Sequence, residues 1–170
     1  PLTHPFALER VEDLVDQDCD GLDAEKWVEA GGGHSCLIGD TGSVQCWGND
    51  DWGQSSPPLD RFVQISLGLH HSCGIDIYGS AHCWGAGVLN NLMEPDYGQS
   101  DPPDVEFLQV SAGRFHSCGI SASGNAYCWG DNAFGQSTPP AGTFTEVSAG
   151  GYHSCGLLSN GGIECWGAGD

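Results

Sequence analysis

The sequence predicts an all-β protein: a β-propeller-like array of four short blades, preceded by a short N-terminal helix and an acidic loop. One 15-residue phrase that opens with His-Ser-Cys and closes with Cys-Trp-Gly occurs four times, beginning at His34, His71, His116 and His153. Apolar and polar residues alternate before three of the copies, as in half-buried strands. Paired prolines, which end strands, follow the first three copies.

The repeat period predicts the architecture. The four histidines are 37, 45 and 37 residues apart, and each unit is predicted to form three short strands joined by glycine-rich turns. Units of this length built from strands are typical of propeller blades. The predicted domain covers residues 27–170, with repeats at about 27–58, 61–103, 106–140 and 143–170, and residues 1–26 form a separate entry segment. The fourth copy lacks the Gly-Gln-Ser-x-Pro-Pro tail, so we expect an incomplete ring.

The repeated residues carry a family resemblance. The pattern F-x-x-V-S-A-G-x-x-H-S-C-G, followed by C-W-G and a later G-Q, resembles the regulator of chromosome condensation repeat in its short, bacterial, cysteine-containing form. The resemblance covers about residues 27 to 170. It implies a β-propeller, which in that family usually has seven blades, and short three-stranded blades in some bacterial members.

Eight of the nine cysteines form pairs that are ten residues apart, with a glycine near the midpoint. A hairpin about that midpoint would set the two sulfurs of each pair opposite each other, within disulfide reach. Each such bridge would stabilise the fold by roughly 2.5 to 3 kcal/mol and indicates an oxidising, extracellular compartment. The alternatives are free thiols or a three-ligand zinc site such as His116, Cys118 and Cys128. The predicted disulfides are Cys36–Cys46, Cys73–Cys83, Cys118–Cys128 and Cys155–Cys165.

The repetition of the histidines and tryptophans favours structural roles over catalysis, because a catalytic group is needed once. We expect each repeated histidine to bond neighbouring backbone between units, and each Trp of Cys-Trp-Gly to lie in the core between blades. The aromatic residues of the later tail, Trp52, Tyr97 and Phe134, also belong to the repeat and are expected to be buried. We predict no catalytic residues.

The entry segment predicts a helix and a calcium loop. Leu8, Val11, Leu14 and Val15 have helical spacing. The acidic run that follows resembles an excalibur or EF-hand-like calcium loop, in which alternating carboxylates converge on one ion. The alternative is a solvated acidic linker. The predicted ligands are Asp16, Asp18, Asp20, the Leu22 carbonyl and Glu25. Cys19 is the ninth cysteine and has no partner in the repeat pattern.

Charge and composition limit the function. Four Lys+Arg against 23 Asp+Glu give a net charge of −19, which disfavours nucleic acid as a partner, and no apolar run is long enough to span a membrane. The predicted function is a secreted, non-catalytic protein-binding or self-assembly module. The alternatives are an extracellular enzyme inhibitor resembling propeller-type β-lactamase inhibitors, and a calcium-dependent adhesin. The extra residues of the middle interval supply predicted partner contacts at Val88, Leu89, Leu92 and Met93.

Overall fold

The computed structural model describes residues 28–87 and 96–169, which form twelve β-strands in four separate three-stranded antiparallel sheets. Each sheet is one blade, and the blades follow one another in chain order without closing into a ring, as predicted. Blade 1 contains β1 (Val28–Ala30), β2 (His34–Ile38) and β3 (Val44–Gly48); blade 2 contains β4 (Phe62–Leu67), β5 (His71–Asp76) and β6 (Ala81–Gly85); blade 3 contains β7 (Phe107–Ala112), β8 (His116–Ser121) and β9 (Ala126–Gly130); blade 4 contains β10 (Phe144–Ala149), β11 (His153–Leu158) and β12 (Ile163–Gly167).

The predicted N-terminal helix and acidic loop lie outside the described residues. Within those residues there is no helix, and therefore none that is long and apolar enough to cross a membrane.

The strand register brings the cysteines together. In blade 3, Cys118 on β8 lies directly opposite Cys128 on β9, and His116 lies opposite Gly130. All four blades share this register and contain the four predicted disulfides, with Cα separations of 4.0 to 4.1 Å. The sulfurs are bonded to each other, so the zinc and free-thiol alternatives do not apply to these eight cysteines.

The hydrophobic core lies between blades rather than within them. The disulfide side of blade 1, with Cys36 and Ile38, packs against Phe62, Ile65 and Trp84 of blade 2. Equivalent clusters join blades 2 and 3 and blades 3 and 4. Each disulfide therefore links the two strands of its hairpin and also contributes to the buried contact with the next blade.

The prediction that the repeated tryptophans lie between blades is confirmed for three of them and wrong for one. Trp84, Trp129 and Trp166 are buried, whereas Trp47 is 50% exposed. Trp47 lies on the side of blade 1 against which the structure describes no preceding blade, so the surface that would cover it is not supplied by the described residues.

One glycine in each of the last three blades makes room for a phenylalanine of the same blade. A Cβ added at Gly119 would lie 2.6 Å from Cδ1 of Phe107, closer than atoms can approach. Gly74 and Gly156 are equally close to Phe62 and Phe144. The Gly of the His-Ser-Cys-Gly phrase is thus a packing requirement of these blades.

Candidate interaction surface

A buried histidine and a buried serine tie each blade to the next. The imidazole of His71, the first residue of β5, lies with Nε2 2.8 Å from Ser117 Oγ in blade 3. The equivalent pairs are His34 with Ser72 at 2.7 Å and His116 with Ser154 at 2.8 Å. We predicted that the histidines link units through backbone atoms. The link is present, but its acceptor is the serine hydroxyl that follows the next repeat's histidine.

The serine determines the protonation state of the histidine. Ser117 Oγ donates to the Gln99 carbonyl at 3.0 Å, so its oxygen accepts a hydrogen bond from His71 Nε2–H, which places the single proton of a neutral imidazole on Nε2. His71 Nδ1 is buried without a hydrogen-bond partner among the described residues, and a second proton there would be unsatisfied. Burial, reinforced by repulsion from neighbouring histidines and chiefly His116, lowers the pKa of His71 to about 3. Burial also lowers the pKa of His116, to about 4.

A buried glutamine shapes the loop that follows each of the first three blades. The Gln136 carbonyl accepts hydrogen bonds from Trp166 Nε1 at 2.9 Å and Ser154 Oγ at 3.1 Å. Its side chain accepts from the backbone N–H of Phe134 at 2.8 Å and donates to Asp131 at 2.8 Å. Gln54 and Gln99 bind the next blade in the same way. The Gly-Gln motif is visible in the sequence, but the sequence alone does not predict a role for its glutamine.

This arrangement presents the neighbouring aromatic residue to solvent. Trp52 is 47% and Phe134 is 57% exposed, while the equivalent Tyr97 is half-buried. The prediction that these repeated aromatic residues are buried is therefore wrong for Trp52 and Phe134. The glutamine two positions later fills the interior of the loop, and the aromatic ring is directed outward.

The rings of Tyr97 and Phe134 pack against the turns between the first and second strands of blades 3 and 4. Tyr97 packs on Phe115 with centroids 5.4 Å apart, and Phe134 packs on Tyr152 at 5.5 Å. The Arg114 guanidinium lies 4.9 Å from the Phe115 centroid and 5.1 Å from that of Tyr152, so it connects the two ring pairs. We call these five residues the aromatic surface.

The aromatic surface borders a cavity of about 430 Å³ that is lined by the same set of turns and by Arg114. Its walls are mostly small residues, including Gly68, Gly113 and Gly150. Arg114 is exposed and forms no ion pair with any carboxylate in residues 28–87 and 96–169. The site thus contains the Arg114 guanidinium, whose N–H groups can bind an acceptor, between two pairs of aromatic rings and next to a shallow cavity.

One histidine outside the repeat pattern has an acidic partner. His82 Nε2 lies 2.9 Å from Asp76 Oδ2, and the backbone N–H groups of Tyr78 and Ser80 donate to Asp76 Oδ1 at 2.8 and 2.9 Å. Burial opposes ionisation of Asp76, but these hydrogen bonds outweigh it and lower the pKa of the carboxyl group below its usual value. The pair fixes the turn between β5 and β6.

The remaining predicted site residues lie outside the described part of the chain and stay predictions. Among the described residues, no cluster of three or more His, Cys, Asp or Glu side chains is arranged to hold a metal ion. The residues concerned are the calcium ligands Asp16, Asp18, Asp20, Leu22 and Glu25, the cysteine Cys19, and the contacts Val88, Leu89, Leu92 and Met93.

Comparison with known families identifies a similar type of repeat. Residues 107–136 and 144–170, in blades 3 and 4, match the regulator of chromosome condensation (RCC1) repeat. Blades 1 and 2 share their strand register, disulfide position and histidine–serine link, so the same structural unit occurs four times. No curated protein sequence gives a significant match to the chain.

Solved propellers resemble the whole array. The CRINKLY WD40 ectodomain of the Arabidopsis thaliana receptor kinase ACR4 is 32% identical with a TM-score of 0.65, over 84% of this chain and 49% of that one. The ectodomain of the Physcomitrella patens receptor kinase CR4 is 28% identical with a TM-score of 0.67, over 82% of this chain and 40% of that one. Yeast RCC1 (Prp20), solved bound to Kap60, has the same fold at 19% identity with a TM-score of 0.70, over 84% of this chain and 43% of that one. The chain thus spans half or less of these propellers.

Proposed function

We propose that this chain is a secreted, disulfide-stabilised, non-catalytic module that binds another protein through the aromatic surface. The observation that carries the proposal is the exposure of Phe134 beside Tyr152 and Arg114. Aromatic residues and arginine are the side chains that most often dominate the energy of protein interfaces. The buried glutamine holds this surface rigidly, so little ordering cost is expected on binding.

The electrostatics of the surface indicate the chemistry of the partner. Arg114 is a cation in a chain with a net charge of −19. Its guanidinium is flanked by rings, and its N–H groups can bind a carboxylate in a bidentate manner. We therefore propose a partner segment in which an acidic side chain lies next to an apolar one.

Two findings support an extracellular location. Four disulfides in one domain are typical of oxidising compartments. The 32% identical plant structure is a receptor-kinase ectodomain, and a similar extracellular setting is proposed here. Intact mass of the natively produced protein, before and after reduction, would check this; free thiols at these eight positions would contradict it.

A matched pair of variants tests the aromatic surface. Proteins captured by the immobilised chain from extracellular fluid would be quantified for wild type, for Phe134→Ala with Tyr152→Ala, and for Tyr78→Ala. Tyr78 is an aromatic residue that is even more exposed than Phe134 and Tyr152, located on the turn between β5 and β6 at the opposite end of its blade. We expect the double variant to lose the captured partner at least tenfold, and Tyr78→Ala to retain it. Equal capture by the double variant would refute the proposed surface.

A second candidate function is inhibition of a secreted hydrolase. Its specific support is the exposure of Trp52 and Phe134, which lie on the equivalent loops that follow blades 1 and 3. Aromatic rings on rigid loops can fill the cleft of an enzyme. Purified chain would be assayed against secreted hydrolases, with β-lactamases first. Inhibition that Trp52→Ala and Phe134→Ala abolish would favour this function over a scaffold.

Calcium-dependent adhesion is the third proposal, based on the acidic run of residues 16 to 25 in the sequence. Calorimetric titration with calcium, with Asp18→Asn plus Asp20→Asn as the control, would test it. Calcium binding that is lost in that variant would support the calcium loop. A wild-type titration that gives no heat of binding would refute this proposal.

A further inference from the structure

Two of the three interfaces between blades, those of blades 2 and 3 and of blades 3 and 4, share a second set of contacts, which joins their first strands. The Gln64 side chain in β4 accepts from Val110 N–H at 3.0 Å and donates to the Val110 carbonyl at 3.2 Å. Ser66 Oγ accepts from Ala112 N–H at 3.1 Å. The same contacts join Gln109 to Val147 and Ser111 to Ala149. We call the side of a blade that packs on the following blade its donor face, because in blades 2 and 3 it contributes these side chains, and the side that packs on the preceding blade its acceptor face. Neither name refers to the direction of a hydrogen bond.

The donor face of blade 4 is exposed. His153 is exposed although the equivalent histidines of the other blades are buried. Ile163 is 73% exposed, and a groove of about 240 Å³ runs past Ser148, Cys155 and Leu157. These residues occupy the positions that pack on a following blade elsewhere in the chain.

The acceptor face of blade 1 is exposed as well. Val28 is 70% exposed, whereas its equivalents Ile65, Val110 and Val147 are at most 2% exposed. The half-exposed Trp47 lies on the same face, and Ser35 is in the position at which the other blades receive a histidine. One molecule therefore presents both halves of an interface whose histidine–serine link it already forms three times and whose first-strand contacts it forms twice.

We infer that a second copy of this chain docks its blade 1 acceptor face on the blade 4 donor face, so that copies associate head to tail. Continuing the internal contacts places His153 against Ser35 of the second copy and Ser148 against its Ala30 backbone. Ile163 and Val28 become buried in the same step. An interface of this kind is heterologous, and it closes a ring or extends into a filament depending on the rotation between copies.

One residue makes this interface weaker than the two internal interfaces that contain a glutamine. The position of Gln64 and Gln109 is Glu146 in blade 4. A carboxylate can accept from the Val28 N–H of the second copy but cannot donate to its carbonyl, which it repels. Glu146→Gln restores the missing hydrogen bond and is expected to tighten self-association roughly 2- to 10-fold.

Two charge variants test the proposal by complementation. Val28→Lys places a charge on the acceptor face, and Ile163→Lys places a charge on the donor face. Both positions are exposed in the single chain, so each variant is expected to fold. Light scattering over a concentration series, at high ionic strength to screen the charge of −19 on each copy, would be measured for wild type and for each variant. Leu108→Lys, at an equally exposed strand position that does not belong to the shared contact set, is the control.

We expect wild type and Leu108→Lys to form dimers or larger assemblies and each face variant to be monomeric at 17.8 kDa. A mixture of the two face variants has one intact donor face and one intact acceptor face, and it should form a dimer that cannot grow. A monomeric wild type, including one that binds a different protein through these faces, would overturn the inference. Assembly that survives both face substitutions, or a mixture that stays monomeric, would also overturn it. The aromatic surface is not involved, so Phe134→Ala with Tyr152→Ala should assemble normally.

Discussion

Mild acid should destabilise this protein through its buried histidines. His71 and His116 have folded-state pKa values of about 3 and about 4, against about 6.5 in an unfolded chain. Their contribution is fully present above pH 6.5 and is lost as the pH falls from 6.5 toward 4, because only the unfolded state then takes up the proton. At pH 5 each histidine costs about 2 kcal/mol, from about 1.36 kcal/mol per unit over roughly 1.5 units.

The assay is urea unfolding with the disulfides intact, followed by tryptophan fluorescence at pH 7.5 and pH 5. His116→Gln keeps an N–H donor for Ser154 but does not titrate, so it should lose about 2 kcal/mol less than wild type between the two pH values. His153→Gln is the matched control, because His153 has the same repeat position and is exposed in the single chain; all three proteins are measured at a dilution at which copies do not associate. Titration of the many carboxylates affects all three proteins alike and cancels in the comparison.

The comparison between the two variants decides whether the explanation is right. If His116→Gln shows the same acid loss as wild type, the buried imidazole is not the group that senses pH. If His153→Gln reduces the acid loss as strongly, the effect does not come from burial. His34, whose pKa burial also lowers, adds to the wild-type loss in the same direction.

Two further predictions concern stability. Gly119→Ala should destabilise by about 1 to 3 kcal/mol, because the new Cβ would lie 2.6 Å from Phe107, whereas Gly151→Ala, with nothing within 4 Å, should change stability little in the same urea assay. Replacing Cys118 and Cys128 together by alanine should cost about 3 kcal/mol from the released loop, and a change below about 1 kcal/mol would show that the bridge adds little to stability.

The repeat made much of the fold predictable. Four copies of one phrase at nearly constant spacing required one structural unit in four copies, and alternating residues with glycine turns defined its strands. The ten-residue cysteine interval was sufficient to predict the pairing of Cys118 with Cys128 and its equivalents, since a hairpin centred between them sets them opposite each other.

The contacts between blades were harder to predict, because they join residues 38 or 46 positions apart in sequence. A signal for them was present: a serine follows the histidine in every copy, and a polar side chain recurs at the positions of Gln64 and Ser66. Periodicity shows that these residues recur from unit to unit, but it does not show which of them form hydrogen bonds with each other. The exposure of Phe134 is not predictable from repetition for a related reason: a repeated aromatic residue indicates a core position, whereas here the neighbouring Gln136 fills that space.

The first repeat shows how a departure from the pattern can be explained by packing. Blades 2, 3 and 4 pair a phenylalanine in the first strand with a glycine opposite its ring, as Phe107 and Gly119 do. Blade 1 has Leu37 at the glycine position, and Glu25 at the phenylalanine position of the sequence. Leucine is compatible with this position only where no ring occupies the space, so the two changes belong together. Among the described residues, Val28 and Trp47 are the large apolar side chains exposed on the acceptor face of blade 1, which makes them the main apolar contacts that blade 4 of another copy would bury.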